Sequence, residues 1–512
     1  MILLLINSQI SLAQKPTMPQ KENQKGYLSF DFLSIKMPLD RFGNQEPNMA
    51  FTGIHYNLLF NNFYSGIGIY GSVAGIRGGF FTLGVNAGYK KSLSKKLFLN
   101  TGFHFGGGGG AGAPDGGGAF ILPHLNLGYE FKNFNLTVGY SYINFFDAGQ
   151  IKDAQINMAL QIPLSFDYAD HSAAEQIVTR AAWQNSNWNQ PSSNITAMVH
   201  FNNLKVLSRS NSTIGEVLYQ KTIQLAGFEM STYRNNIFYF FKVDGAYKGI
   251  KAGYMDVLIG AGYQFSLYKD KTRLLAKFAI GAGGGGGVDT NGGFLISPDL
   301  SLEQRISKKL YLSINKGYLM TPDAKFKTAT LGIGLKYETH IGGLSSKDKE
   351  LLPPSTGSLL GKFKGFEVIM KKDFYLNATR DINLTENLYQ ISLQINLNLN
   401  QHLFLAGQTS FANFGNAGAY AEGLVGFGLY SNRFFHKKAQ LFTQVLGGAA
   451  GGGDISTGQG FILKPSIGLD YQLSNLFSLR SSFGMVKAID GKLSSLLFTI
   501  GIKYKLSFLT VH

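Results

Sequence analysis

The chain has 512 residues, no cysteine, 64 glycines, 13% aromatic and only 15% charged residues, and a formal net charge of +16. The lack of cysteine excludes a disulfide framework and thiolate chemistry, and the charged fraction lies well under the roughly 25% usual in soluble domains. Lys and Arg are scattered or gathered at turns, as at Lys90-Lys91, Lys95-Lys96, Lys308-Lys309 and Lys437-Lys438, so no basic face for nucleic acid forms.

The chain opens on an apolar stretch followed by Ser11-Leu12-Ala13. This is the pattern of a secretory signal cut near Ala13-Gln14, although no basic residue precedes Ile2. Residues 1–25 are therefore read as signal-like segment and polar spacer. From there on, short alternating runs are broken by Gly, Asn, Asp, Ser and Lys, the grammar of strands. In 26–168 they fall near 27–38, 50–61, 65–76, 80–91, 97–108, 119–131, 134–146 and 154–168. In the last run Ile156, Met158, Leu160, Ile162, Leu164, Phe166 and Tyr168 share one face, and Asn157, Gln161, Ser165 and Asp167 share the other. No apolar run reaches the roughly 18 residues of a spanning helix. An apolar face ending in aromatics beside a charge-bearing face predicts an all-β, transmembrane antiparallel barrel.

The stretch Gly106–Phe131, GGGGGAGAPDGGGAFILPHLNLGYEF, returns at Gly281–Ser307 and again at Gly447–Ser474, with Pro123, Pro298 and Pro465 about 170 residues apart. The recurrence predicts three repeats of eight strands at 26–168, 192–339 and 362–512, about twenty-four strands in all. Residues 169–191 and 340–361 lose the alternation and read as linkers, the first with a short helix over Ala173–Trp183. In-strand prolines remove a ladder donor, so each predicts a bulge. The minimal connections Lys132-Asn133, Lys308-Lys309 and Ser474-Asn475 suit periplasmic turns, which places the glycine-rich segments in outer loops with Asp115, Asp289 and Asp454 as their turn residues.

Charges on the polar faces are the candidate site: Glu303, Arg305, Lys336 and Glu338 in the second repeat; Glu422, Asp470, Arg480, Lys503 and Lys505 in the third. Buried charges need partners, so these residues predict ion pairs filling a lumen or lining a pore. Matches to GGxGxD at Gly284–Asp289 and to GxGxxG are expected by chance in so glycine-rich a chain. The nine histidines show no Ser/His/acid spacing and no metal-ligand cluster. The reading therefore names no catalytic residue, no metal and no cofactor.

On its strand grammar, aromatic-ended faces and export signal, each repeat resembles the small eight-stranded Gram-negative outer-membrane proteins of the OmpX/OmpW type. It departs from them at the C-terminus, where Phe508 is followed by Leu509-Thr510-Val511-His512. The resemblance implies residence in the cell outer membrane, with lipid and other envelope proteins as partners and no nucleic acid. It also implies a structural or envelope-complex role. The alternative is a porin or transporter forming one wide pore; a lipid-modifying enzyme is disfavoured. Linkers of about twenty residues exceed hairpin needs and favour three separate barrels over one of about twenty-four strands.

Overall fold

The structure is a computed structural model that describes residues 18–40, 42–189, 193–209, 212–268, 271–342 and 359–511. The signal-like segment and residues 343–358 of the second linker lie outside them.

The first eight strands are β1 (Glu22–Ile35), β2 (Met49–Phe60), β3 (Phe63–Ala74), β4 (Phe81–Ser92), β5 (Leu97–Gly109), β6 (Phe120–Glu130), β7 (Asn135–Phe145) and β8 (Lys152–Tyr168). Each pairs antiparallel with the next, and β1 closes on β8 with Phe30 opposite Leu160. A short strand, β9 (Ile177–Thr179), and a helix, α1 (Arg180–Gln184), follow. Next come β10 (Ser193–Val206), β11 (Thr222–Arg234), β12 (Ile237–Lys248), β13 (Met255–Tyr268), β14 (Thr272–Gly284), β15 (Phe294–Arg305), β16 (Leu310–Met320) and β17 (Lys327–Ile341). This set closes through β10 and β17, with His200 opposite Gly334. The last set is β18 (Leu359–Thr379), β19 (Thr385–Asn398), β20 (Leu403–Phe414), β21 (Ala421–Tyr430), β22 (Ala439–Gly451), β23 (Phe461–Gln472), β24 (Phe477–Ala488) and β25 (Ser494–Val511). It closes through β18 and β25, with Lys371 opposite Gly501. The ladders thus make three rings of eight rather than one wide ring. The first ring starts four residues earlier than the alternation suggested, at Glu22.

Each ring is inside-out relative to a soluble barrel. Along β25, Leu496, Phe498, Ile500 and Ile502 are exposed, whereas Ser495, Thr499, Lys503 and Lys505 are buried. Because side chains alternate, this one phase puts apolar groups outside and polar groups in the lumen. Two zones break the rule. At the end carrying the longer loops the lumen is apolar, filled in the first ring by Leu33, Ile35, Phe51, Phe80, Phe120 and Phe145, with comparable clusters in the others. Eight strands leave an interior only wide enough for side chains to fill, so these clusters seal that end. At the short-turn end, aromatics line the outside, including Phe63 on Tyr89 at 5.1 Å, Phe131 on Phe134 at 4.7 Å and Phe477 on Tyr504 at 5.2 Å.

The glycine-rich segments do more than turn. Each packs against the neighbouring ring's hairpin between its third and fourth strands, in a head-to-tail cycle. A Cβ on Gly79 would lie 2.3 Å from the Gly285 nitrogen; on Gly107, 2.4 Å from the Ala412 oxygen; and on Gly451, 2.4 Å from the Gly253 nitrogen. Only glycine permits such backbone contact. Where the three rings meet, Phe81, Leu83, Val257, Ala282, Ile391 and Phe411 form a shared apolar core. Polar bonds join the rims: Ser72 Oγ donates to the Gly292 carbonyl at 2.9 Å, and the Gly415 amide donates to Asp147 Oδ2 at 2.7 Å.

Two local expectations need correction. The register runs unbroken past Pro123, Pro298 and Pro465, with pairing to the next strand skipped only beside the proline. One bulge recurs instead at a matching place in each ring, between the second and third strands, at Ala50/Phe51, Gln224/Leu225 and Tyr389/Gln390, and further register shifts fall at Ser266/Tyr268 and Tyr375/Ala378. The recurring bulge bends the third strand where it meets its neighbour. The first linker is not a bland tether either. It forms a 3-10 turn at His171–Ala173, then β9 and only a five-residue helix. β9 pairs with β18, and Trp183 and Trp188 bury against Phe363 and Leu509. The residues beyond Phe508 continue β25 past the ring, where Thr510 faces Lys362 and Ile341.

Gly107→Val should therefore strain the contact between the first and third rings, at about 1–3 kcal/mol for overpacking. Gly407→Val meets nothing within 4 Å and should be silent. Thermal melts in detergent should show a lowered transition for the first variant only.

Candidate functional site in the barrel lumens

Below the apolar seal each lumen is polar, and the three differ. In the first ring the mid-lumen charge is Asp31, and toward the short turns Lys90 lies over the Phe98 ring at 3.8 Å and 3.8 Å from Glu130. Asn86 bridges His55 at 2.8 Å and His104 at 2.5 Å, and Asn57 accepts from it at 3.0 Å. Asp31 takes the Tyr70 hydroxyl at 3.1 Å and lies 3.3 Å from His55. Further down, Asn100, Asn126, Asn157 and Gln161 each keep a carboxamide oxygen without a protein partner. Unpaired polar atoms in a narrow space are places for water. Among the described residues no group of three or more metal-ligating side chains could hold an ion.

The second lumen is ionic. Lys336 pairs with Glu303, Lys277 with Glu229, and Arg273 with Glu338 at 3.0 Å. Lys242 and His200 converge on Asp244 at 2.7 and 2.5 Å. Arg305 lies half-buried at the short-turn end of β15.

The third lumen is the most connected. Lys464 reaches Asp373 and Glu422 at 2.7 Å each. Thr499 donates to Asp373 at 2.7 Å and Tyr375 to Glu422 at 2.7 Å. One layer nearer the short turns, Arg480 grips both oxygens of Asp470 at 2.7 Å, a fork that only guanidinium makes. Lys503 bridges Asp470 at 2.6 Å and Glu367 at 3.1 Å, and Tyr430 donates to Glu367 at 2.5 Å. Apart from Lys505, each of these charges is buried with its complement, which is what makes its burial tolerable.

Of the residues singled out from sequence, Glu303, Lys336, Glu338, Glu422, Asp470, Arg480, Lys503 and Lys505 lie inside lumens. The reading missed Glu229, Asp244, Lys277, Glu367, Asp373 and Lys464. A signal existed in β18, where Glu367, Lys371 and Asp373 alternate with Phe366, Met370 and Phe374. The loop aspartates do not form one class. Asp115 is buried and accepts from the Gly110 amide at 2.7 Å; burial pushes its carboxyl up to about 7. Asp289 caps the Asn291 amide at 2.9 Å, and Asp454 takes a left-handed turn near Arg380.

A cavity of about 370 Å³ opens at the short-turn mouth of the third ring, roofed by the first linker through His171 and walled by Asn398, Tyr430, Arg433, Gln440 and Lys505. His171 lies 3.7 Å from Glu367, but burial holds its imidazole down at about 4, so it is neutral at neutral pH.

No protein-family model matches the sequence, and no curated protein is similar to it. Among solved structures, the chain is similar to a mutant ferric enterobactin receptor, PfeA, of Pseudomonas aeruginosa, at 10% identity and TM-score 0.27 over 96% of this chain and 81% of that one. It is also similar to OpdQ of Pseudomonas aeruginosa, at 8% identity and TM-score 0.21 over 95% and 98%. The siderophore receptor PirA of the same organism gives 8% identity and TM-score 0.26 over 96% and 81%. Likeness at these values fixes neither strand order nor role; both have to come from the chain's own geometry.

Lys464→Met should leave Asp373 and Glu422 facing each other without their shared cation, a loss of about 3–5 kcal/mol. Urea titration of refolding in detergent reads it. Adding Asp373→Asn should recover part of the loss, because it removes one of the stranded charges. Thr499→Arg, cheap if the lumen were open, should be costly as well, since Thr499 is 1% exposed inside this network.

Proposed function

We propose that the chain is an integral outer-membrane protein of a Gram-negative envelope, built from three repeats of one small barrel unit, with a structural role or a place in an envelope complex. The observation that carries the proposal is the inverted alternation. Exposed Leu, Ile, Val and Phe cover the outside of rings whose lumens hold ion pairs. Such an exterior is stable in hydrocarbon, and closed barrels are the only sheets that satisfy every backbone group there. The aromatic belt at the short-turn end supports placing that end at the periplasmic interface. The apolar seals, together with ion-paired lumens, support a non-conducting body.

A second reading, passage of small solutes, is favoured by one feature. The mid-lumen of the first ring is lined by amides whose oxygens lack protein partners and would be satisfied by water. On either reading Leu331→Arg, placed on the exposed face of β17, should cost about 2–4 kcal/mol in refolding titrations.

The deciding experiment is fractionation followed by planar-bilayer recording of the purified chain. Recovery in the outer membrane as a heat-modifiable band, with no large steady conductance, is the expected outcome. Small steady steps would favour passage through the first ring. Recovery as a soluble periplasmic protein would overturn the membrane reading.

A further inference from the structure

We propose that the short-turn mouth of the third ring binds a small oxyanion carried on a hydroxylated, sugar-like scaffold. The buried charges of this lumen are four carboxylates, on Glu367, Asp373, Glu422 and Asp470, and five cations, on Lys371, Lys464, Arg480, Lys503 and Lys505. The first four cations each lie within ion-pair distance of a carboxylate. Lys505 does not. It is 3% exposed, lines the cavity of about 370 Å³, and among the described residues has no hydrogen-bond or ion-pair partner. A buried ammonium without a partner is costly, and an anion in the adjoining cavity would supply what it lacks.

The acids that face the same space are already engaged. Glu367 is held by Lys503 and Tyr430. Glu175 gives one oxygen to Lys362 at 2.7 Å and keeps the other buried without a protein partner, and Asp170 accepts from the Ser172 amide at 2.8 Å. On the opposite wall Arg433 spends one nitrogen on Gln472 at 2.9 Å and keeps other donors free to reach inward. The lining between these two cations comes mainly from carboxamide and hydroxyl residues, with Asn398 and Gln440 among them, and Ala174 is its one aliphatic residue. Amide side chains both donate and accept, which suits hydroxyl groups better than hydrocarbon. The loop bearing Arg433, residues 431–438, is also longer than its counterparts at 93–96 and 269–271, so this wall is particular to the third ring.

The linker that roofs the cavity supplies the readout. Both tryptophans of the chain, Trp183 and Trp188, are buried in it; Trp188 packs edge-on against Phe363 at 5.0 Å, and the Phe363 carbonyl accepts from the Glu175 amide at 2.7 Å. Tryptophan emission of the full chain in detergent should therefore change saturably on titration with glucose 6-phosphate, with glucuronate, or with both. Phosphate and carboxylate arms separate the two sources of oxyanion, and response to either upholds the site. Lys505→Met should weaken binding about tenfold or more, the size of a lost charged hydrogen bond. Should that variant not give a heat-modifiable folded band, Arg433→Gln, at an exposed position outside the buried ion-pair network, should weaken binding several-fold. The proposal is overturned if neither probe gives a saturable signal, if glucose binds as tightly as both, or if the folded variants bind like the parent chain.

Discussion

Everything in this molecule depends on where the backbone hydrogen bonds close. A peptide group in hydrocarbon has no water to turn to, so a lipid-facing sheet must have no free edge. Here β1 meets β8, β10 meets β17 and β18 meets β25 along most of their lengths. Rings of eight strands follow, and with them the narrow lumen. A narrow lumen must be filled, because its walls are too close to hold a water column of useful width. The chain fills one end with aromatic and aliphatic groups and the rest with polar ones. In the second and third rings those polar groups are charged, and each ring solves the resulting desolvation problem by pairing, most thoroughly around Asp373, Glu422 and Lys464.

Closure also leaves the rings to find one another by other means. Among the described residues, no ladder joins the first ring to the others except a single bridge from Ala169 to Ser507, and β17 meets β25 over two residues. Association in lipid draws little from apolar burial, since acyl chains are as apolar as leucine; close packing of small residues does the work. The glycine-rich segments meet this need. Each lets one backbone lie on the next ring's hairpin, and the cycle closes after three contacts, as a heterologous interface must if it is not to run on indefinitely. At the short-turn end the first linker reaches under the third ring, so a segment that leaves the first ring and enters the second also braces a third body.

Much of this was legible in the residues. Period-two alternation located the strands of the first ring to within a few positions, and the polarity of the faces told inside from outside. The lumen set was legible where alternation was clean, as in β25 with Lys503 and Lys505. It was fainter in β18, where the run Lys371-Lys372-Asp373 blurs the alternation of Glu367, Lys371 and Asp373 with Phe366, Met370 and Phe374, and it was not legible around Lys464, whose neighbour Pro465 stands on the outer face. The glycine segments were recognised as repeated, but their purpose is a contact between bodies, and no local pattern encodes a neighbour supplied by residues some 200 positions away, as in Ser72 to Gly292. The linker's role was hidden for the same reason: Trp183 and Trp188 have meaning only beside Phe363 and Leu509.

The claim on which the rest stands is separate closure, and strand-specific crosslinking tests it most directly in a chain with no cysteine of its own. Val199 and Leu335 face each other across the β10–β17 seam, and both are exposed on the outer surface. The double variant Val199→Cys/Leu335→Cys, oxidised in isolated membranes, should form an intramolecular disulfide in high yield. Absence of that bond, together with efficient crosslinking of Leu335→Cys to a cysteine placed on the outer face of β18, would mean that β17 continues into the next set of strands, and the three-ring account would fail.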